Sequence, residues 1–401
     1  ISLTSIFAKV CEGFVTDWCL RDILPSIDPQ QYGSLRGRST THYMTLLTHK
    51  LLEAADKPGH VTTLVLTDFS RAFDSVHHET AINKLIDLGV RPSLVPWVSS
   101  FISGRRQRVR YRGALSDWQT LTCGVPQGTK LGPLVFLALV NDAVPVNETT
   151  ADAYKYVDDM SLSESRHVTK PTYIQDDMDA LAQWTEENHM TLNPSKCKVL
   201  LFCFMRNKPP PPEITVGPTQ LEVVDFARIL GVIMQTDLKW TKHVVMIVGR
   251  SSSRLYMLRT LRKQGLDSHD LVLVYIGFVR PVLEYACQVW HPGLTVAESE
   301  SIERVQKRAC KIILGRSYTS YNSALQTLSL TPLSQRRREL CRNFALLMLK
   351  SPVFRSWLPP ARGDISTRDT RQKHLLATTR TRTNRFKNSP ILYMTRLLNG
   401  Q

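Results

Sequence analysis

Two acidic sites, about ninety positions apart, carry residue types suited to metal-assisted chemistry. Asp68 ends the apolar run Thr63-Leu-Val-Leu-Thr67, and Asp158-Asp159 falls between Tyr154–Val157 and Met160–Leu162. A carboxylate at the end of a buried strand is costly unless a cation pairs with it. Adjacent carboxylates at a hairpin tip repel each other, and a divalent cation relieves the repulsion. If the two strands pair, Asp68 and Asp158 reach a shared pair of ions. Two Mg²⁺ about 3.5–4 Å apart, with Mn²⁺ as a substitute, suit in-line phosphoryl transfer. Mg²⁺ takes hard oxygen ligands and completes its octahedron with phosphate and water. Taken singly, Asp68 reads equally as an ordinary helix cap; the second acidic site gives it weight.

A loop lies between the two sites: Gly124-Val-Pro-Gln127-Gly128-Thr-Lys-Leu-Gly132-Pro133. Its glycines let backbone approach a ligand closely. Gln127 offers a donor and an acceptor to a base edge or sugar. From Arg105 to Arg112 the sequence alternates, so in one strand Arg106, Arg108, Arg110 and Arg112 share a face. That face suits a template or primer phosphate backbone; the plain alternative is a solvated edge strand kept from aggregating by its charge.

The elements that must position these residues follow from periodicity. Residues 1–57 read as helical around a polar stretch, Gly33–Ser39. Val61–Leu66 reads as a buried strand, Thr80–Leu88 as the following helix, and residues 154–162 as a hairpin. Asp176–Met190 predicts an amphipathic helix, and Pro209–Pro212 a stiff spacer. Leu230–Ile233 predicts a strand. Helices are expected over Val244–Gln264, Ser268–Val289, Ala297–Ile313 and Leu333–Leu349. Past Ser351 the chain is basic and broken by Pro and Gly, which predicts a partly disordered tail.

In order and spacing these segments resemble the reverse transcriptases of non-LTR retrotransposons (LINE elements) of jockey-like type, over roughly residues 1–345. Thr67-Asp-Phe-Ser-Arg-Ala-Phe-Asp-Ser-Val76 is similar to the first palm motif of that family. Gly124–Phe136 is similar to its GVPQGSxLGPxLF motif, with Thr129 for the usual Ser. Tyr156-Val-Asp-Asp159 is similar to its YxDD box, and Leu192-Asn-Pro-Ser-Lys196 to its fourth palm motif. Leu230-Gly-Val-Ile233 with Trp240 resembles the primer grip, and Phe278–Trp290 the stretch after the palm.

The resemblance implies an α+β right-hand polymerase: fingers and palm over 1–236, a helical thumb over 237–350, and the basic tail over 351–401. It implies RNA-directed DNA synthesis onto a primer 3′-OH, with an RNA template, a DNA primer or target, and dNTPs. Asp68, Asp158 and the carbonyl of Phe69 would be metal ligands, with Asp159 supporting them. Phe73 would be the steric gate against ribose, and Lys196 a general acid for pyrophosphate. Gly33–Ser39 resembles a fingers segment, with Ser34 for its usual Phe; Arg36 and Arg38 would contact template or triphosphate. An endonuclease is expected upstream, and a nuclear site of action. Ile1-Ser-Leu-Thr4 resembles the end of an RPISL motif, so the chain reads as N-terminally truncated. The competing reading is an inactive remnant that only binds nucleic acid.

Bulk properties agree with a globular polyanion binder. The chain has 401 residues, with 42% hydrophobic and 21% charged, which excludes a wholly disordered protein. The formal net charge is +16, and residues 301–401, with 20 Lys and Arg against 4 Asp and Glu, hold all of it. Such a one-sided excess attracts nucleic acid. Arg304, Lys307, Arg308 and Lys311 fall on one helix face suited to a duplex. The eight cysteines have no CxxC or zinc spacing, which predicts free thiols in a reducing, intracellular compartment. No apolar run approaches the roughly 18 residues of a membrane span, and no targeting signal is found.

Overall fold

Thr, Val and Leu dominate residues 60–67, and such β-branched, apolar runs favour a strand buried on both faces. In the computed structural model, which describes residues 5–147, 151–365 and 372–400, that run is the central strand β1 (His60–Thr67) of a five-stranded sheet. The others are β2 (Ala151–Tyr156), β3 (Asp159–His167), β4 (Lys198–Cys203) and the short β5 (Glu222–Val223), in the spatial order β5-β4-β1-β3-β2. β1 is antiparallel to both β3 and β4. Thr67 pairs with Met160, and that register sets Val65 opposite Leu162 and Val199.

Alternation along these strands decides which residues meet the core. Val65, Ala153, Met160, Leu162 and Val199 join a cluster with residues of the helices His78–Asp87, Val95–Ile102, Leu131–Leu139 and Ile174–Glu187. Leu64, Leu66, Ser161 and Ser163 lie on the opposite face. The register, continued one step beyond Thr67, puts Asp68 opposite Asp159 on that second face. A one-residue slip would exchange the two faces and carry the carboxylates to the side covered by the helices.

The chain divides into two compact units, Ile1–Tyr43 with Gly59–Val224, and Met44–Pro58 with Asp225–Gln401. The first holds the sheet and its helices. The second is mainly helical, with Thr241–Lys263 packed on Val296–Leu314, and Leu333–Lys350 on Pro390–Leu398. Thr295 and Glu298 form a reciprocal capping box that starts Val296–Leu314.

Three expectations need correction. The strand expected over 230–233 begins only at Val232: Leu230 and Gly231 form the turn between Phe226–Ile229 and Val232–Gln235, at φ 44° and 87°. A two-residue hairpin turn of this hand favours glycine at its second position. The continuous helix Ser268–Val289 is broken. It passes through a π-helical turn, Tyr275–Val279, just ahead of Pro281, and ends where Ala286 adopts φ 49°. Proline has no N–H to continue the ladder, and a π turn absorbs the mismatch.

The tail is also folded over its described residues. Pro390–Leu398 buries Ile391, Leu392, Met394 and Leu397. The Asp56 carboxylate accepts from Arg382 N (2.9 Å) and Thr383 N (2.8 Å). Apolar spacing in this last helix outweighs the basic composition around it. Among the described residues no single helix is long and apolar enough to cross a membrane. A bent pair, Ser268–Glu284 with Cys287–Gly293, passes that test by length and composition only, and Leu271, Tyr275, Val279 and Leu283 on it are buried. All eight cysteines are free thiols.

Candidate active site

Asp68 leaves β1 where the strand gains a second partner. Asn193 N donates to the Asp68 carbonyl (2.7 Å), and Ser70 N donates to Thr191 O (2.8 Å). These bonds bring the Asn193–Lys196 turn over the strand end. Lys196 N and Cys197 N donate back to Asn193 O, and Ser195 Oγ donates to Asn193 Oδ1 (2.7 Å). The Lys196 ammonium therefore stands 3.3 Å from Asp68 Oδ2. That pairing lacks hydrogen-bond geometry, and Asp68 Oδ2 is buried with no hydrogen-bond partner among the described residues.

The opposing carboxylates sit on the β2–β3 hairpin. Tyr156 pairs with Asp159, leaving Val157 and Asp158 as a two-residue turn. Burial, then the nearby charge of Asp68, raises Asp158 above the ordinary carboxylate range. Asp159 is pushed up to about 6 by burial, then by Asp158 and Asp68, although solvent still reaches its side chain. The charge of Asp68 thus adds to the proton affinity of both hairpin carboxylates, and like charges gathered this way favour a cation. Among the described residues no three acidic, His or Cys side chains converge into a preformed metal cage.

The Gly124 loop is laced to residues 73–78, the segment that follows Asp68. Gly124 N donates to Val76 O (2.7 Å) and Val125 N to Phe73 O (2.8 Å). Gly124 takes φ 83°, and a Cβ there would lie 2.8 Å from Asp74 O, so only glycine fits this approach. Gln127 Nε2 donates to Asp74 Oδ1 (3.1 Å) on the exposed rim. Gly128 takes φ 94° beside it. Thr129 Oγ1 donates to Pro126 O (2.7 Å) and accepts from Gly132 N (3.2 Å), so threonine keeps the hydroxyl that serine would supply. Phe73 stacks on the fully buried Phe136 at 4.9 Å and 21°. Half of its ring is thus fixed and half faces out. Phe69 packs its ring against Trp184, which leaves its backbone as the part able to meet a ligand.

The arginines are placed differently. Arg36 pairs with Asp17 at 3.0 Å on the surface. Arg38 turns inward and donates to the carbonyls of Pro29 (2.8 Å) and Gln31 (2.5 Å). The expected single strand over 105–112 is two short ladders, Arg106–Gln107 with Gln119–Thr120 and Arg110–Tyr111 with Ala114–Leu115. Arg112 and Gly113 turn the chain at φ 47° and 88°. Arg108 and Arg106 instead gather over the Trp118 ring, at 4.6 and 5.7 Å. Arg108 and Arg110 are exposed. Arg304, Lys307, Arg308 and Lys311 are exposed along Val296–Leu314. Residues 1–4, which carry the RPISL-like end, lie outside the described residues.

Sequence reasoning missed several supporting residues. Glu12 is buried and accepts from Lys130 N and Leu131 N, capping the helix that follows the Gly124 loop. Lys155 is buried in an ion pair with Asp28 at 2.6 Å and donates to Asn141 O. Burial lowers the Lys155 pKa and the Asp28 charge opposes that shift. A lysine between Tyr154 and Tyr156 in an inward-facing strand position was the available signal.

Carboxylates at a strand end and a hairpin tip, a glycine loop tied to residues 73–78 and a lysine beside Asp68 lie within residues 1–241, which match the family described as reverse transcriptase (RNA-dependent DNA polymerase). The chain belongs to that family. Within it, the chain falls with the jockey-like, non-LTR members. It is 28% identical over 332 residues to the RNA-directed DNA polymerase named for transposon BS of Drosophila melanogaster, covering 79% of this chain and 36% of that protein. It is 27% identical over 304 residues to the RNA-directed DNA polymerase from mobile element jockey of Drosophila funebris, covering 72% and 32%. The chain thus spans about a third of the length of the curated relatives it matches. A solved telomerase from Candida albicans overlays 85% of this chain and 54% of its own, at 12% identity and a TM-score of 0.43, too loose a likeness to add to the assignment.

Proposed function

We propose that this chain is the polymerase part of a jockey-like retrotransposon protein and copies RNA into DNA from a primer 3′-OH. The observation that carries this reading is the buried Asp68 Oδ2 without a hydrogen-bond partner, opposite Asp159 in the continued register and near enough to Asp158 to raise its proton affinity. A carboxylate oxygen that has only the exposed Lys196 ammonium beside it and accepts no hydrogen bond, with two further carboxylates nearby, fits a divalent cation. Asp68, Asp158 and the carbonyl of Phe69 would hold two Mg²⁺, or Mn²⁺ in their place. Mg²⁺ needs few protein ligands and leaves positions for phosphate and water. Bound there, the ions would activate the primer hydroxyl and offset charge on the transferring phosphate.

The chain's own residues supply the remaining work. Phe73, braced by Phe136, presents a flat wall where a ribose 2′-OH would sit. Gln127, tied to Asp74, faces the incoming dNTP with its free carbonyl side, and Gly128 keeps the loop open beside it. Lys196 holds a proton within reach of the metal-side carboxylate and is placed to give it to the departing pyrophosphate. Arg108 and Arg110, beside Trp118, offer charge and a ring to template or primer. The test is primer extension on an RNA template with Mg²⁺ and dNTPs, run beside Asp158→Ala. Extension by the parent alone supports the reading. Equal extension by both would mean a contaminating polymerase, and none from either would replace the reading with a protein that only binds nucleic acid.

A further inference from the structure

Gln30–Gly33 lies along the catalytic hairpin as a short parallel edge. Tyr32 N donates to Lys155 O (2.8 Å) and Lys155 N to Gln30 O (3.0 Å). Gln31 is 1% exposed. Its Oε1 accepts from Val157 N (3.0 Å) and Gly33 N (2.8 Å). Its Nε2 is buried without a partner among the described residues, so the acceptor half alone is in use.

The bond falls on a strained residue. Val157 adopts φ 60°, a region that β-branched side chains avoid. It occupies the first position of the two-residue turn, where glycine usually supplies that angle. Such strain persists only where the surroundings hold it. The surroundings are specific here. A Cβ on Gly33 would lie 2.4 Å from Val157 Cγ2 and 2.6 Å from Val157 N, so the fingers backbone rests directly on the turn. Arg38, bonded to the carbonyls of Pro29 and Gln31, braces the segment from behind.

We propose that Gln31 is a positioning residue for catalysis: its amide oxygen holds the Val157 N–H, and so keeps the strained turn that aims Asp158 and Asp159 at the position of Asp68. Gly33 and Arg38 belong to the same latch. The proposal rests on the polymerase reading for its consequence, while the latch itself is a property of the fold. Gln31→Met keeps the side-chain length and removes the acceptor, Gln31→Glu keeps an acceptor, and Gly33→Ala pushes the segment off the turn with Gln31 intact.

Two measurements on the 401-residue chain decide it. The first is amide hydrogen exchange in the segment containing Val157. Gln31→Met should speed exchange there about tenfold or more, with β1 still protected, and Gln31→Glu should keep it slow. The second is RNA-templated extension together with template–primer affinity. Gln31→Met and Gly33→Ala should each lower the extension rate by on the order of a hundredfold through misplacement of the carboxylates, with affinity unchanged. The double variant should fall no further than either single one, because both break one latch. Unchanged exchange at Val157 in Gln31→Met, equal loss of protection in Gln31→Glu, or an affinity loss matching the rate loss would each overturn the proposal. If the parent itself fails to extend a primer, the polymerase reading fails, and exchange at Val157 still decides the latch.

Discussion

The carboxylate turn and the arginine hairpin belong to the same compact unit, yet they are held in opposite ways. Asp158 and Asp159 sit at the tip of a hairpin whose longer strand pairs with β1 through eight residues, with its inner face in the core. Arg108 and Arg110 sit on ladders only two residues long, with Val109, Tyr111, Leu115 and Trp118 all exposed. A side chain fixed by register and burial can be aimed to within the tolerance of a chemical step. One on a short exposed ladder offers charge and a ring surface to a flexible polyanion, where tight aim matters little. Arg105, at the foot of the arginine hairpin, donates to the Gly124 carbonyl and so ties that hairpin to the glycine loop.

Substitutions should separate the two regions. In the carboxylate turn, Asp158→Ala should lower the extension rate by about a thousandfold or more, roughly 4 kcal/mol of barrier, with template affinity nearly intact; equal losses in both would erase the distinction. Phe73→Val, beside the turn, should reduce discrimination against rNTPs by about 10–100-fold, the range for a change in pocket size, as read in competing dNTP and rNTP incorporation. Arg108→Ala should weaken RNA binding about equally across sequences and lower the salt slope by about one, leaving the rate at saturating template unchanged. An unaltered salt slope would return the hairpin to a solvated edge.

The smallest effect is on pH. Asp158 and Asp159 bind protons more readily in the folded chain than the ordinary carboxylate value allows. Between 3.8 and about 6 the folded state therefore holds more protons than the unfolded state, so stability falls as pH rises through that window. Solvent around Asp159 keeps the change modest. Thermal unfolding in EDTA should show this slope, Asp159→Asn should flatten it, and added Mg²⁺ should offset it at neutral pH. A metal-free chain whose stability rises from pH 4 to 6 would mean that other groups dominate.

Much of the carboxylate turn was legible in the sequence because strand alternation and hairpin spacing are local. Asp68, Asp158 and the Gly124 loop announce themselves through short apolar runs and glycines whose meaning holds within ten residues. Gln31 did not, because its partner is a backbone N–H 126 residues away and nothing in Pro29-Gln-Gln-Tyr32 marks which amide turns inward. Arg38 looked like a surface cation for the same reason: its acceptors are backbone carbonyls. The arginine alternation over 105–112 was real, but no core face pinned a single strand, and the chain broke it at Arg112-Gly113. In the tail, composition hid a helix that only the spacing of Ile391, Met394 and Leu397 disclosed.

The most direct measurement is where a bound divalent ion touches the chain. Fe²⁺ exchanged into the site, with ascorbate and peroxide, cuts backbone within a few ångströms of itself. Cleavage should appear near both Asp68 and Asp158, and Asp68→Asn should abolish both cuts together. Cuts beside one of them alone, or cuts that survive the substitution, would contradict a site shared across the two strands.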